Sequence, residues 1–197
     1  MDVVVLDIET TGLSPYRHAI TEIAAVKVRD GKIVDRFHSL VNPGQPIPRF
    51  ITKLTGITDD MVADAPAVKE VLPGLHDFLE NAIFVGHNVG FDFKFIDYYS
   101  YKYLGKRIDN PVLCTCKLAR RLLPDLPSKR LTALCEHFAI KNEQAHRAMN
   151  DVLATTQLMN HLQEQTPKPL SISHLLSLQK ITRKQVPRFL ERVLITD

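Results

Sequence analysis

An α/β fold with a mixed central sheet flanked by helices follows from three features of this 197-residue chain. β-branched apolar runs come first, two of them meet at an Asp30-Gly31 turn, and helical spacing takes over from about the middle onward. Val3 to Ile8 is an unbroken apolar run until Asp7, and reads as a buried strand. The segments AITEIAAVKV and KIVDRFHSLV flank Asp30-Gly31, a dipeptide that tolerates the positive φ angles of a tight hairpin, so they pair as antiparallel strands. A Pro-rich connection, NPGQPIP, leads to a short helical stretch from Phe50 to Leu54. Ala67 to Leu79 has the spacing of an amphipathic helix, and AIFVG behind it is a further strand. Phe91 to Tyr103, Cys116 to Leu122, Leu131 to Phe138 and Arg147 to Gln163 all carry helical spacing, with a short strand at Pro111 to Leu113. At Thr166 the pattern breaks into TPKP, which divides a main domain (1–165) from a tail (166–197) with short helical patterns at Leu170 to Ile181 and Pro187 to Leu194.

Composition bounds the rest. Hydrophobic residues make up 45% and charged residues 24%, ordinary for a water-soluble domain, and no apolar run approaches the ~18 residues of a membrane span. No membrane partner is expected. The opening MDVVVLDIE lacks the basic and apolar regions of a secretory signal, so a cytoplasmic location is expected. A net charge of +3 is compatible with a polyanionic partner without demanding one. Three cysteines, an odd number, argue against a disulfide framework. Cys114, Cys116, Cys135 and His137 imitate two zinc-ligand pairs, but Cys135 and His137 fall in a helical pattern, where residues two apart point roughly 200° apart.

Three carboxylate placements stand out. Side chains alternate along a strand, so Asp7 and Glu9 extend the face of Val3 and Val5. Two like charges at the end of a buried strand oppose each other's ionisation, and a bound dication removes that penalty. Taken alone, the pair also fits a solvated turn beyond the strand. Asp92 lies on the apolar stripe of Phe95, Ile96 and Tyr99, although an Asp there also suits a helix N-terminus. Asp151 shares a stripe with Ala154, Thr155, Leu158 and Leu162. His146 stands five residues ahead, roughly 140° around an ideal helix, so it belongs on the preceding loop if both aim at one centre. An imidazole that titrates near neutral pH suits a general base there.

In order, DIETTG, GHNVGFDFKF and HRAMND resemble the three exonuclease motifs of the DEDDh family of 3′–5′ exonucleases, which includes the proofreading epsilon subunit of bacterial DNA polymerase III. The resemblance continues through LTGIT and CKLARRLLP and spans roughly Val3 to Leu162. It implies the ribonuclease H-like exonuclease fold and a site holding two divalent cations, Mg²⁺ or Mn²⁺, on Asp7, Glu9, Asp92 and Asp151, with Asp7 shared between them and His146 as the base. It further implies release of nucleoside 5′-monophosphates from a 3′ end, with Thr10, Thr11 and Leu13 holding the terminal nucleotide and Asn88 and Phe91 shaping its pocket. Single-stranded DNA is the favoured substrate, in proofreading or repair; RNA is the alternative, and a 3′-end-binding module without catalysis a third.

Two further segments carry charge. YYSYKYLGKR interleaves tyrosines with Lys102, Lys106 and Arg107, which suits a single strand, but Tyr99 and Tyr103 are four apart and read as core-facing, leaving a solvated basic helix end. In the tail, Lys180, Lys184, Arg188 and Arg192 recur every four residues, a face for a polymerase, another protein or phosphate, or simply a solvated one; Pro187 interrupts it.

Overall fold

The computed structural model describes residues 2–142 and 145–165; the expected helical patterns of the tail lie outside the described residues. Five strands form one mixed sheet in the order β3-β2-β1-β4-β5. The strands are β1 (Val3–Thr10), β2 (Ile20–Arg29), β3 (Lys32–Leu40), β4 (Ile83–Gly86) and β5 (Val112–Cys114). β1, β2 and β3 pair antiparallel, whereas β4 and β5 run parallel to β1. The hairpin turns where expected, with Asp30 at φ 50° and Gly31 at φ 75°, the left-handed values that match the twist of two adjoining strands.

Helices α1 (Arg49–Thr55), α2 (Asp59–Val62) and α3 (Val68–Leu79) lie between β3 and β4 along the chain, and α4 (Gly90–Leu104) between β4 and β5. After β5 come α5 (Thr115–Leu122), α6 (Leu131–His137) and α7 (Ala148–Glu164). Strand parity divides the core. Val4, Leu6 and Ile8 pack with Leu72, Leu75 and Leu79 of α3 and Phe93, Phe95 and Ile96 of α4. Val3 and Val5, with Ala24, Val26 and Val28 of β2, pack on Leu118 of α5, Leu134 of α6 and Val152, Leu158 and Leu162 of α7. Both faces of β1 are thus covered, and each fully buried Leu, Ile or Phe contributes roughly 1.5–3 kcal/mol. Charged groups on such a strand need a specific reason to be there.

Several expectations shift. β1 runs to Thr10 rather than stopping at Ile8, because Glu9 pairs with Glu22 and Thr10 with Ile20 in the ladder, across a bulge. That places both carboxylates inside the strand and removes the solvated-turn reading. The short α2, absent from the sequence pattern, is held by the Thr58 hydroxyl accepting the Met61 N–H at 3.3 Å, and buries only Val62. α7 starts at Ala148, one residue later than expected, with Arg147 extended at its N-cap. Tyr99 is buried as expected, but Tyr103 is 43% exposed and stacks on Tyr99 with its ring 5.9 Å away. Among the described residues, no helix is long and apolar enough to cross a membrane.

Candidate active site

Pairing of β1 with β4 ends at Val5 and Val85, so Asp7 and Glu9 project past the last parallel pair, at the carboxyl ends of the central strands. That end of an open α/β sheet is where ligands bind, because the connecting helices start there. β4 leads directly into α4, whose first turn carries Asp92, 3% exposed, with Oδ1 accepting the Ile8 N–H at 3.2 Å. The first turn of α7 brings Asp151 to the same place from the opposite layer. Its Oδ1 accepts from Asn142 Nδ2 at 2.7 Å and its Oδ2 from the His146 N–H at 3.0 Å. His146 sits on the turn ahead of α7, exposed, with φ 66°. One ligand atom each from Glu9, His146 and Asp151 lie within 4.8 Å of one another.

The electrostatics of the cluster are those of a cation-binding site. Burial, then Asp92, Glu9 and Asp151, push the Asp7 carboxyl well above the usual carboxylate range. Burial, with Asp151, Glu22 and Asp92 adding to it, lifts Glu9 to about 9. Asp92 rises to about 8, chiefly by burial, against the opposing pull of backbone N–H groups. Carboxylates that repel one another in a buried site are the donor set that hard divalent cations take, since a dication offsets the crowded negative charge, and the imidazole at the rim stands beside them. The residues present fit such a metal. The cysteines do not form a rival site: among the described residues, Glu9, His146 and Asp151 make the one group with converging ligand atoms, and the buried Cys116 thiol faces the Lys129 carbonyl at 3.6 Å.

Beside the carboxylates runs the loop from Thr10 to Leu13. The Thr10 hydroxyl donates to Gly12 O at 2.7 Å; the Thr11 hydroxyl accepts the Ala19 N–H at 3.0 Å and Gln45 Nε2 at 2.9 Å. Both threonine side chains are therefore buried and committed to the loop, which presents Leu13 to solvent at 81% exposure. A Cβ on Gly12 would lie 2.3 Å from the His18 ring, so any other residue there must displace that ring. Between β4 and α4, Asn88, exposed, takes φ 64°, and the half-buried Phe91 packs its ring 5.1 Å from that of Phe95.

Glu22, Arg147 and Asn142 also belong to this neighbourhood, and none of the three was among the expected site residues. Glu22 had a visible signal: it shares the strand face of Ala24, Val26 and Val28, an inward apolar face, and is 1% exposed. Asn142 had none, since it lies in a polar stretch with no periodicity.

A mixed sheet carrying acidic side chains at the carboxyl ends of its central strands, completed by the first turns of two helices, is the ribonuclease H-like exonuclease fold. The exonuclease family model matches residues 4–159, and the chain belongs to that family. It is 38% identical over 180 residues to the DNA polymerase III subunit epsilon of Aquifex aeolicus, covering 91% of this chain and 89% of that protein. It is 43% identical over 199 residues to the PolC-type DNA polymerase III of Caldanaerobacter subterraneus subsp. tengcongensis, covering 98% of this chain but only 14% of that longer protein. Exonuclease X in complex with 5′ overhanging duplex DNA matches with a TM-score of 0.74 at 28% identity, over 90% of this chain and 99% of that one. Escherichia coli exonuclease I in complex with a dT13 oligonucleotide shares the fold, with a TM-score of 0.75 at 20% identity over 84% of this chain and 42% of that one. Within that family it groups with the epsilon type.

Proposed function

We propose that this chain removes nucleotides one at a time from the 3′ ends of DNA, single strands and frayed ends above all, in proofreading or repair. The observation that carries this reading is the convergence of Asp7, Glu9, Asp92 and Asp151 from three separate elements beside the exposed imidazole of His146. The four carboxylates would hold two divalent cations, Mg²⁺ or Mn²⁺, whose charge would neutralise the phosphodiester and acidify the attacking water. His146 accepts that water's proton on its ring nitrogen, an exposed position from which the proton passes on to solvent. The attacking oxygen forms its bond to phosphorus as the P–O3′ bond breaks, leaving a 3′ hydroxyl on the shortened strand and a nucleoside 5′-monophosphate. The hydrogen-bonded loop from Thr10 to Leu13 would offer the terminal nucleotide an apolar wedge in the exposed Leu13, with Asn88 and Phe91 shaping the pocket.

Residues 1–165 are the catalytic unit in this reading, and residues 166–197 a separate appendage through which a polymerase or another protein could hold the chain. Likeness to epsilon and PolC-type proteins supports a replication setting, as do neighbours solved with DNA.

The test is a 5′-labelled oligonucleotide incubated with Mg²⁺ or Mn²⁺. A ladder shortening from the 3′ end, stopped by EDTA and absent with Asp7→Asn, is expected. A matched RNA, a 3′-mismatched duplex and a 3′-blocked strand run alongside. Intact DNA with degraded RNA would replace DNA by RNA as the substrate, and intact substrate throughout would overturn the assignment.

A further inference from the structure

Glu22 is a carboxylate inside the acidic cluster that behaves unlike its neighbours. It stands opposite Glu9 in the β1–β2 ladder, yet its side chain does not join the converging ligand atoms. Both of its oxygens are already taken. Oε1 accepts from Arg147 Nη2 at 3.0 Å and lies 2.8 Å from His38 Nε2; Oε2 accepts from Arg147 Nε at 3.2 Å and from the Ala148 N–H at 3.0 Å. Burial alone would push this carboxyl up, but Arg147, His38 and the Ala148 amide outweigh it and hold it below the usual value. Glu22 is thus a fixed anion committed to a side-on pair with a guanidinium, the geometry that sets direction as well as charge.

What that pair holds is the turn that carries His146. Arg147 is the N-cap residue of α7, extended at φ −119°, with no capping hydrogen bond from its own side chain. The Glu22 carboxylate does the capping from across the sheet, by accepting the Ala148 N–H. On the other side of His146, its own N–H is held by Asp151 Oδ2. Between these anchors His146 adopts a left-handed backbone, an uncommon state for a residue with a Cβ, which persists only where the surroundings enforce it. The three bonds to Glu22 from Arg147 and Ala148 tie this turn to the sheet.

We infer that Glu22 and Arg147 are positioning residues: an ion pair between the buried Glu22 and the half-buried Arg147, joining β2 to the start of α7, sets where the His146 imidazole stands relative to Glu9 and Asp151. The inference rests on the proposed role of His146 as base, and it predicts that the pair matters only while His146 is there to be positioned.

The experiment is a double-mutant cycle. Arg147→Ala should lower kcat by roughly 10- to 100-fold with KM and Mn²⁺ affinity changed less than about threefold; Arg147→Lys, which keeps the charge and loses the fork, should fall between. In a His146→Ala background the same substitutions should change the residual rate by less than about threefold. Glu22→Gln should follow the pattern of Arg147→Lys. Equal losses with and without His146 would overturn the inference, because the pair would then serve the metals or the fold. A raised KM with unchanged kcat would also overturn it, assigning Arg147 to the substrate's phosphates instead. Should Arg147→Ala fail to fold, Arg147→Lys and Glu22→Gln carry the same cycle. A readout independent of turnover is the His146 ring resonance in histidine-labelled protein, sharp and shifted in the wild type, and expected to broaden or move to its random-coil position in Arg147→Lys. An unchanged resonance would overturn the inference even if the wild type cleaved no nucleic acid, an outcome that would remove the functional assignment separately.

Discussion

Replacing Asp92 by asparagine should make the metal-free protein more stable while weakening its response to metal. Asp92 is buried, and its carboxyl is raised from 3.8 to about 8. Around neutral pH the folded chain therefore keeps a proton on Asp92 that the unfolded chain has released. A group raised on folding gives its full stability below its unfolded value and loses it as pH climbs toward its folded value, so stability falls between about pH 4 and pH 8. At about 1.4 kcal/mol per pH unit, the loss by pH 7 has a ceiling of roughly 4 kcal/mol; dielectric relaxation around the cleft reduces it, and a gain of about 1–3 kcal/mol is expected on substitution. The side-chain amide introduced by Asp92→Asn keeps an oxygen for the Ile8 N–H and has no acidic proton to lose. The assay is urea denaturation followed by circular dichroism in EDTA at pH 4 and pH 8, then with Mg²⁺ at pH 8. The variant should gain at pH 8 and not at pH 4, and Mg²⁺ should stabilise it less than the wild type. No gain at pH 8, or the same gain at both, would refute the account of Asp92 as a buried charge that a cation must offset.

Three other outcomes follow from the same site. His146→Ala should lower single-turnover cleavage by about 10²- to 10⁴-fold while leaving Mn²⁺ binding, followed by calorimetry, within a few-fold of wild type. Gly12→Ala forces a Cβ against the His18 ring, so it should cost about 1–3 kcal/mol in thermal or urea unfolding and raise KM for a single strand through the displaced Leu13. Asn142→Ala removes the donor to Asp151 Oδ1 and should weaken Mn²⁺ binding by about 10- to 100-fold, read by titration calorimetry, with little change in KM for DNA.

Parity made much of this site legible before any coordinates. In a strand whose two faces are both covered, the alternation of Val3, Val5, Asp7 and Glu9 was enough to put both acids on one side, and helical spacing put Asp92 and Asp151 each on the inward stripe of its own helix. The placement of His146 ahead of α7 followed from the helical angle once His146 and Asp151 were taken to aim at one centre. What escaped notice was set by partners remote in sequence. β1 continues through Glu9 and Thr10 because β2 supplies Glu22 and Ile20 opposite them, which no property of residues 9 and 10 announces. Tyr103 obeys the helical stripe of Tyr99 but not its burial, since a stripe fixes direction and says nothing of how far the covering layer extends. Arg147 reads as one more solvated cation until its partner, far away in the chain, is known.

The cluster draws its members from the first strand, the fourth helix and the last described helix, so it joins residues near both ends of the domain. No short fragment of the chain contains it, and its formation requires closing a loop that spans nearly all the described residues. A dication captured there would grip a structure already formed. Mg²⁺ should accordingly slow unfolding and leave the refolding rate nearly unchanged, acting as a latch on a finished molecule and not as a template for its assembly.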